Sequence, residues 1–319
     1  MSDFPRLTLS ECVDRLLEIE NPLVIMHIRP DGDTVGSAAA LCEIFKALGK
    51  SAKYICEDII PERLAFLTDE LERADSTEGL DAVSIDVASP MQMGRISDSV
   101  TVKLAIDHHA VNTPFAPNYM VHTASSAGEV LLGIAKELEA RGLIKITEKI
   151  AYPIYTAISS DTGGFAFSNT TPETHRAAAD LIELGIDHAD INRRLFMSKS
   201  QSQIRAEGFV ASKIETGAEG KIAYASLSSA ECESLGLDIL DFETAIDVVR
   251  SLMGAEIALV VKETDRGFKA SMRSTGANVA EIAARHGGGG HVRAAGCNVD
   301  AKSVEEAAEI LLSELEALF

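Results

Sequence analysis

Short apolar runs alternate with longer stretches of helical period through the first half of the chain. The runs at 23–27 (LVIMH), 82–86 (AVSID) and 102–106 (VKLAI) read as strands, and the stretches at 38–48 and 129–138 read as helices. Such alternation argues for βαβ units around a largely parallel sheet, where chemically active side chains gather beyond the carboxyl ends of strands. Over 187–207 (DHADINRRLFMSKSQSQIRAE) the pattern turns helical and polar with no strand signal, which predicts a helical connector. Strand-like runs return at 222–227, 257–261 and 268–272, followed by a glycine cluster and a closing amphipathic helix near 304–318. The expected organisation is an α/β first domain over 1–186, the connector over 187–207, and a smaller α/β domain over 208–319.

Composition agrees with a folded protein of this kind. The chain has 319 residues, enough for two cores, with 46% hydrophobic and 24% charged residues. Its formal charge of -20 opposes attraction to long duplex nucleic acid or to an anionic membrane, so any nucleic substrate is expected to be short. The cysteines at 12, 42, 56, 232 and 297 are odd in number, widely spaced and without a CxxC pair, which points to a reducing compartment. The N-terminus shows no basic segment followed by an apolar core, and no apolar run approaches the roughly 20 residues that span a bilayer. The expected location is the cytoplasm.

Candidate chemistry sits at the ends of the predicted elements. The segment VIMHIRPDGDTVGS places His27, Asp31 and Asp33 in a turn between a buried strand and a helix, where Asp and His can converge on a divalent ion such as Mn²⁺. The competing explanation is structural: Asp33 as a helix cap, Asp31 in a turn and His27 in the core. Gly36 and Ser37 would permit close helix packing. A second strand ends in Asp86, and a third in Asp107, His108 and His109, adjacent histidines whose side chains must point in different directions. One can bind metal while the other faces substrate. A helix ends at Asp161 before a turn at Gly163 and Gly164, where a carboxylate gains nothing from the helix dipole and calls for a nearby cation.

Together HIRPDGDTVGS, SIDVASP, AIDHHAVN, SSDTGGF and, further on, GGGGHVRAAG resemble the DHH phosphoesterase family, whose name is the triplet standing here as Asp107, His108 and His109. The resemblance implies that His27 and Asp31 bind one metal, that Asp33, His108 and Asp161 bind the other, and that Asp86 bridges them. It implies that Asp107 orients a histidine and that His109 faces the substrate. In the C-terminal domain it implies substrate binding by Arg273, Gly288, Gly289, Gly290, His291 and Arg293, with the active site in an interdomain cleft. The cofactors implied are two Mn²⁺ ions, with Mg²⁺ or Co²⁺ as substitutes. Arg29 before Pro30 and Val292 after His291 depart from the family's usual residues without removing a ligand.

Charge accounting supports the metal assignment separately. Asp31, Asp33, Asp86 and Asp161 in one place could not all stay ionised without cations. Two divalent ions roughly 3.5–4 Å apart would meet that need, share a water and present hydroxide to phosphorus. Incoming phosphate would need cationic donors from elsewhere, for which Arg273, His291 and Arg293 are the candidates, while Arg29, Arg63 and Lys199 are assigned to surface solvation. Glycines 287–290 would let backbone N–H groups approach a phosphate.

Length and domain order within the family point to the branch that hydrolyses RNAs of a few nucleotides and the bisphosphate pAp. Hydrolysis of cyclic or linear dinucleotides is the alternative within the family, and an inactive nucleotide-binding regulator the alternative outside it. An inorganic pyrophosphatase fits less well because of the GGGGH motif. Homodimerisation is left open.

Overall fold

The computed structural model describes residues 4–242 and 244–319, with His291 through its backbone alone. The chain divides into two compact units between Ser198 and Lys199. The segment expected as a connector straddles that division: a short helix, His188–Asn192, and a π-helical turn, Arg193–Met197, belong to the first unit, and a helix at Gln201–Ser212 belongs to the second.

In chain order the first unit contains α1 (Leu9–Leu17), β1 (Pro22–Ile25), α2 (Gly32–Ala47), β2 (Lys53–Ile55), β3 (Glu72–Arg73) and β4 (Asp81–Ile85). There follow β5 (Val102–Asp107), β6 (Asn118–Met120), α3 (Ala127–Ala140), α4 (Glu148–Asp161), α5 (Pro172–Glu183) and α6 (His188–Asn192). The strands described form one parallel sheet in the order β3-β2-β1-β4-β5-β6. The chain runs outward from β1 through β2 and β3, then returns to place β4 on the other side of β1. That reversal leaves a crevice beyond the carboxyl ends of β1 and β4, the usual location of a ligand in such sheets.

Both faces of the sheet are covered, which explains why β1 reads as an unbroken apolar run rather than an alternating one. Val24, Val83, Leu104 and Ile106 pack with residues of α1 to α5, whereas Leu23, Ile25, Ala82 and Ala105 pack with Met93 and Ile96 of the 3-10 segment Pro90–Ser99. Helix α2 begins at Gly32, earlier than its expected start at 38, so Asp33 lies in its first turn and not in a loop. The reason is local. Asp31 caps the helix, accepting from the backbone N–H groups of Asp33 and Thr34, and the first turn is buried, so glycines and a β-branched pair hide the helical period.

Helix α4 is held unusually close to its neighbours. A Cβ on Gly36 would lie 2.7 Å from the Pro153 carbonyl oxygen and 3.0 Å from the Ala157 nitrogen, and one on Gly128 would lie 2.5 Å from the Ala157 Cβ. A Cβ on Gly32 would strike the Ser160 side chain. Glycines of α2 and α3 therefore let α4 approach almost backbone to backbone, and this fixes where its last residue, Asp161, is delivered.

The second unit consists of α7 (Gln201–Ser212), β7 (Glu215–Gly217), β8 (Ile222–Leu227), α8 (Ser229–Ser234), α9 (Ala245–Arg250) and β9 (Ile257–Thr264). It ends with β10 (Gly267–Ser274), α10 (Val279–Arg285), β11 (Gly289–His291), β12 (Ala294–Val299) and α11 (Val304–Glu316). Its sheet has the order β11-β12-β10-β9-β8-β7, with β8 and β9 parallel and the other pairs antiparallel. Alternation along β9 serves two cores: Ile257, Leu259 and Val261 face residues of α10 and α11, while Ala258 and Val260 face those of α7 and α9. All the cysteines are buried and unbridged, and no described helix is long and apolar enough to cross a membrane.

Replacing Gly36 by Val drives a branched side chain into the α4 backbone. It is expected to lower stability by about 1–3 kcal/mol, measured by denaturant unfolding; an unchanged midpoint would contradict the close approach of α2 and α4.

Candidate metal centre

Each candidate group in the first unit sits where an element ends or begins. His27 lies two residues beyond β1, and its Nδ1 donates to the Ile28 carbonyl at 2.8 Å, which leaves Nε2 as the ligating nitrogen. Asp86 follows β4 with φ 59°, a left-handed conformation that costs an aspartate roughly 1–3 kcal/mol and turns its carboxylate into the crevice. Its backbone N–H still completes the sheet through the Ile106 carbonyl at 3.0 Å. Asp33 accepts from Ser37 Oγ at 3.0 Å and from the first N–H groups of α3, Ala127 at 2.8 Å and Gly128 at 3.1 Å, where the helix dipole favours negative charge.

The DHH triplet divides its labour. Asp107, the last residue of β5, accepts through Oδ1 from the backbone N–H of His108 at 2.8 Å and of His109 at 3.2 Å, and from His109 Nδ1 at 2.7 Å. His108 turns the other way: its Nδ1 meets the Ala124 carbonyl at 3.3 Å and its Nε2 faces the acids.

These groups converge. His27 Nε2 lies 3.7 Å from Asp31 Oδ1 and 3.5 Å from Asp86 Oδ2. His108 Nε2 lies 3.6 Å from Asp33 Oδ2, 3.6 Å from Asp86 Oδ1 and 3.9 Å from Asp161 Oδ2. His109 Nδ1 is 3.5 Å from Asp86 Oδ1. The sets His27, Asp31, Asp86 and Asp33, His108, Asp161 each have ligand atoms within 4.8 Å of one another, and Asp86 presents one oxygen to each side. Such separations exceed a hydrogen bond yet suit donors that share a cation. Asp86 Oδ1 is buried without a hydrogen-bond donor among the described residues, an arrangement that fits a cation as its partner. The donors are imidazole nitrogen and carboxylate oxygen, a set suited to Mn²⁺ and similar divalent ions.

Electrostatics points the same way. Burial, reinforced by Asp86, Asp161 and Asp31, holds the Asp33 carboxyl well above its ordinary range. Burial also pushes Asp161 up to about 7, with Asp31 and Asp86 adding to the rise and His108 and His109 opposing it. Burial resists charging His27, but Asp31 and Asp86 outweigh it and push the imidazole up to about 11. For His109, burial is likewise outweighed, chiefly by Asp107, and the ring rises to about 9.

The residues expected to bind substrate lie in the second unit. Arg273 is half-buried on β10, donates to the Met272 carbonyl at 3.0 Å and pairs in register with Ala294. Arg293 lies in the turn before β12 and donates to the Thr275 carbonyl, at the same end of the sheet. The glycine cluster is no open loop: Gly289 and Gly290 form β11, paired with Gly296 and Ala295. A Cβ on Gly288 or Gly290 would collide with β12 at 2.2 or 2.4 Å, so these glycines serve strand packing whatever else they do. The side chain of His291 lies outside the described residues. Sequence reasoning missed the amides of Ala127 and Gly128 as partners of Asp33, and Asn169, which contacts Asp161; neither carries a signal readable without the fold.

Comparison with known proteins gives independent bearings. The model described as DHH family, N-terminal domain, matches residues 21–158, and that of the DHHA1 domain matches residues 210–317. The chain is 33% identical over 303 residues to the bifunctional oligoribonuclease and PAP phosphatase NrnA of Thermus thermophilus, covering 93% of this chain and 90% of that protein. It is 28% identical over 299 residues to the protein of the same name from Bacillus subtilis, covering 92% of each. An exopolyphosphatase-related protein from Bacteroides fragilis has the same fold, with a TM-score of 0.88 at 23% identity, covering 97% of this chain and 96% of that one.

With cations chelated, the folded chain keeps a proton on Asp161 up to about 7, which the unfolded chain releases near its ordinary value of about 4. More protons bound in the folded state means that stability falls as pH rises through that interval. Cation binding requires ionised carboxylates and neutral imidazoles, so it displaces protons and its stabilising effect grows over the same range. Thermal melts in chelator and in Mn²⁺ between pH 5 and pH 7.5 should show a widening gap; a constant gap would count against these ionisations.

Proposed function

On the premise that the chain belongs to the DHH family, we propose that it is a phosphoesterase dependent on two Mn²⁺ ions, replaceable by Mg²⁺ or Co²⁺. Its proposed reactions are hydrolysis of oligonucleotides of a few residues to mononucleotides, and of pAp to AMP and phosphate. The observation that carries this reading is Asp86, one buried carboxylate offering an oxygen to each of two groups of donors, His27 with Asp31 and His108 with Asp33 and Asp161. The names borne by the Thermus thermophilus and Bacillus subtilis relatives support the choice of substrates.

His27, Asp31 and Asp86 would hold one ion, and Asp33, His108, Asp161 and Asp86 the other. When bound, such ions supply Lewis acidity toward a phosphoryl oxygen and acidify water at neutral pH. The tautomers of His27 and His108 are set for this by their Nδ1 bonds to carbonyls, which direct Nε2 at the acids. Asp107 orients His109 through Nδ1, so that a protonated His109 would give its proton through Nε2 to the leaving oxygen. Arg273, Arg293, His291 and the glycines 288–290 would hold the remaining phosphate charge and the nucleoside.

Purified protein with Mn²⁺ is expected to release mononucleotides from a dinucleotide and a trinucleotide, and phosphate from pAp, with a cyclic dinucleotide assayed beside them. Turnover of none of these would overturn the reading in favour of a nucleotide-binding regulator, and turnover of the cyclic dinucleotide alone would shift the substrate assignment. Asp86→Ala should lose Mn²⁺ binding and activity together, and an active variant would remove the bridging role. Arg293→Ala should raise KM about tenfold or more while kcat holds, as expected for loss of a charge-assisted hydrogen bond made in the ground state.

A further inference from the structure

Asn169 lies eight residues beyond Asp161, after the glycine turn, and its single amide nitrogen stands among three acceptors. Nδ2 donates to the Asp161 carbonyl at 3.1 Å, to Asp161 Oδ2 at 3.3 Å and to the Ser125 carbonyl at 2.9 Å. Rotating the amide would set its oxygen against three oxygens, so the network itself fixes nitrogen at this place. Its own Oδ1 is meanwhile buried without a hydrogen-bond partner among the described residues. An unpaired buried acceptor costs about 1–3 kcal/mol, and a small apolar residue would avoid that cost. The side chain is arranged around its donor.

What the donor joins gives it a purpose. Ser125 immediately precedes Ser126, the N-cap of α3, and the next amides, Ala127 and Gly128, are those that hold Asp33. Ser125 is itself anchored, donating to Glu129 Oε2 through its N–H at 3.1 Å and its hydroxyl at 2.6 Å. Glu129 also accepts from Thr174 Oγ1 at 2.9 Å, tying the start of α3 to the start of α5. Asn169 thus clamps the end of α4, which carries Asp161, to the start of α3, which grips Asp33. These two carboxylates flank the same nitrogen, His108 Nε2.

We propose that Asn169 is a positioning residue that sets the spacing of Asp33 and Asp161 about His108, and through it the cation affinity of that group of ligands. The proposal rests on the two-cation reading given above. A neutral donor suits the task, because a second carboxylate would add to the repulsion and a lysine or arginine would compete with the cation for Asp161. Residues that orient metal ligands are worth about 10- to 100-fold in affinity, and this is the size of effect expected here.

The test is titration of the two-unit chain with Mn²⁺, followed by calorimetry and by electron paramagnetic resonance, for wild type, Asn169→Ala and Asn169→Ser. Wild type should take up two ions that give a spin-coupled spectrum. The variants should keep one binding step, weaken the other about 10- to 100-fold and show uncoupled Mn²⁺ at the same metal concentration, while melting close to wild type in chelator. Serine retains a polar group but is too short to reach Asp161 and Ser125 together, so it provides a second variant should alanine prevent folding. Two undisturbed binding steps in the variants would overturn the proposal. So would an equal loss of stability with and without Mn²⁺, or failure of both variants to fold, since either makes Asn169 a stabilising residue only. A wild type that binds no coupled pair would instead strike down the two-cation reading, and the clamp with it.

Discussion

Repulsion among the carboxylates of Asp31, Asp33, Asp86 and Asp161 is the constraint around which the first unit is arranged. Brought into one partly buried crevice, they cannot all carry charge without compensation, and burial with mutual repulsion raises Asp33 and Asp161. The chain supplies part of the compensation itself, through the first N–H groups of α3 at Asp33 and the imidazoles of His27, His108 and His109 around Asp86. Asp86 Oδ1 has no hydrogen-bond partner among the described residues. A cation would answer these deficits together, and without one the raised carboxyls of Asp33 and Asp161 relieve the repulsion by holding protons.

The sheet order makes the gathering possible. Because β4 returns to lie beside β1, the residues that follow these strands face each other across the crevice, and β5 brings the DHH triplet alongside. Only Asp161 comes from a helix C-terminus, where the backbone dipole disfavours its charge. Delivering it therefore depends on packing, and the close approach of α4 to Gly36 and Gly128 provides the needed precision. Energy lost by omitting side chains at these glycines is returned as rigidity in the placement of one ligand.

Legibility from sequence followed the same physics. The alternation of apolar runs and helical stretches was enough to foresee parallel βαβ units, because strands buried on both faces are continuous in hydrophobicity. Candidate ligands were legible because Asp and His stand out at the ends of such runs. Asp31 shows where the two explanations of one residue meet: it caps α2, as a structural reading of the turn allows, yet it also faces His27. The start of α2 was not legible, since a buried first turn built from glycine and small residues has no helical period. Nor were the amides holding Asp33, because a backbone donor leaves no mark on side-chain identity, or the left-handed turn at Asp86, because aspartate adopts that conformation only occasionally. The strand packing of Gly288 and Gly290 was not legible either, because close approach to a phosphate and close approach to a neighbouring strand call for the same residue, and only the register with β12 shows the second.

The division of charge along the chain bears on what such a site can accept. On the reading proposed, two divalent ions neutralise the carboxylates but leave little surplus to hold an incoming phosphate, so fixed cations must come from residues outside the cage. On that reading Arg273 would take the role. Burial lowers its pKa from the usual arginine value, Asp247 offsets part of the fall and Arg250 adds to it, yet a guanidinium remains charged at any physiological pH. Beyond the reach of such local groups the field is that of a chain with net charge -20. With screening over about 8 Å at physiological salt, a phosphate held at the site escapes that field, whereas each further phosphate of a long strand adds charge that a net-negative chain repels. Restriction to substrates of a few nucleotides then follows from electrostatics as well as from the size of any binding groove, and it would weaken as salt is raised.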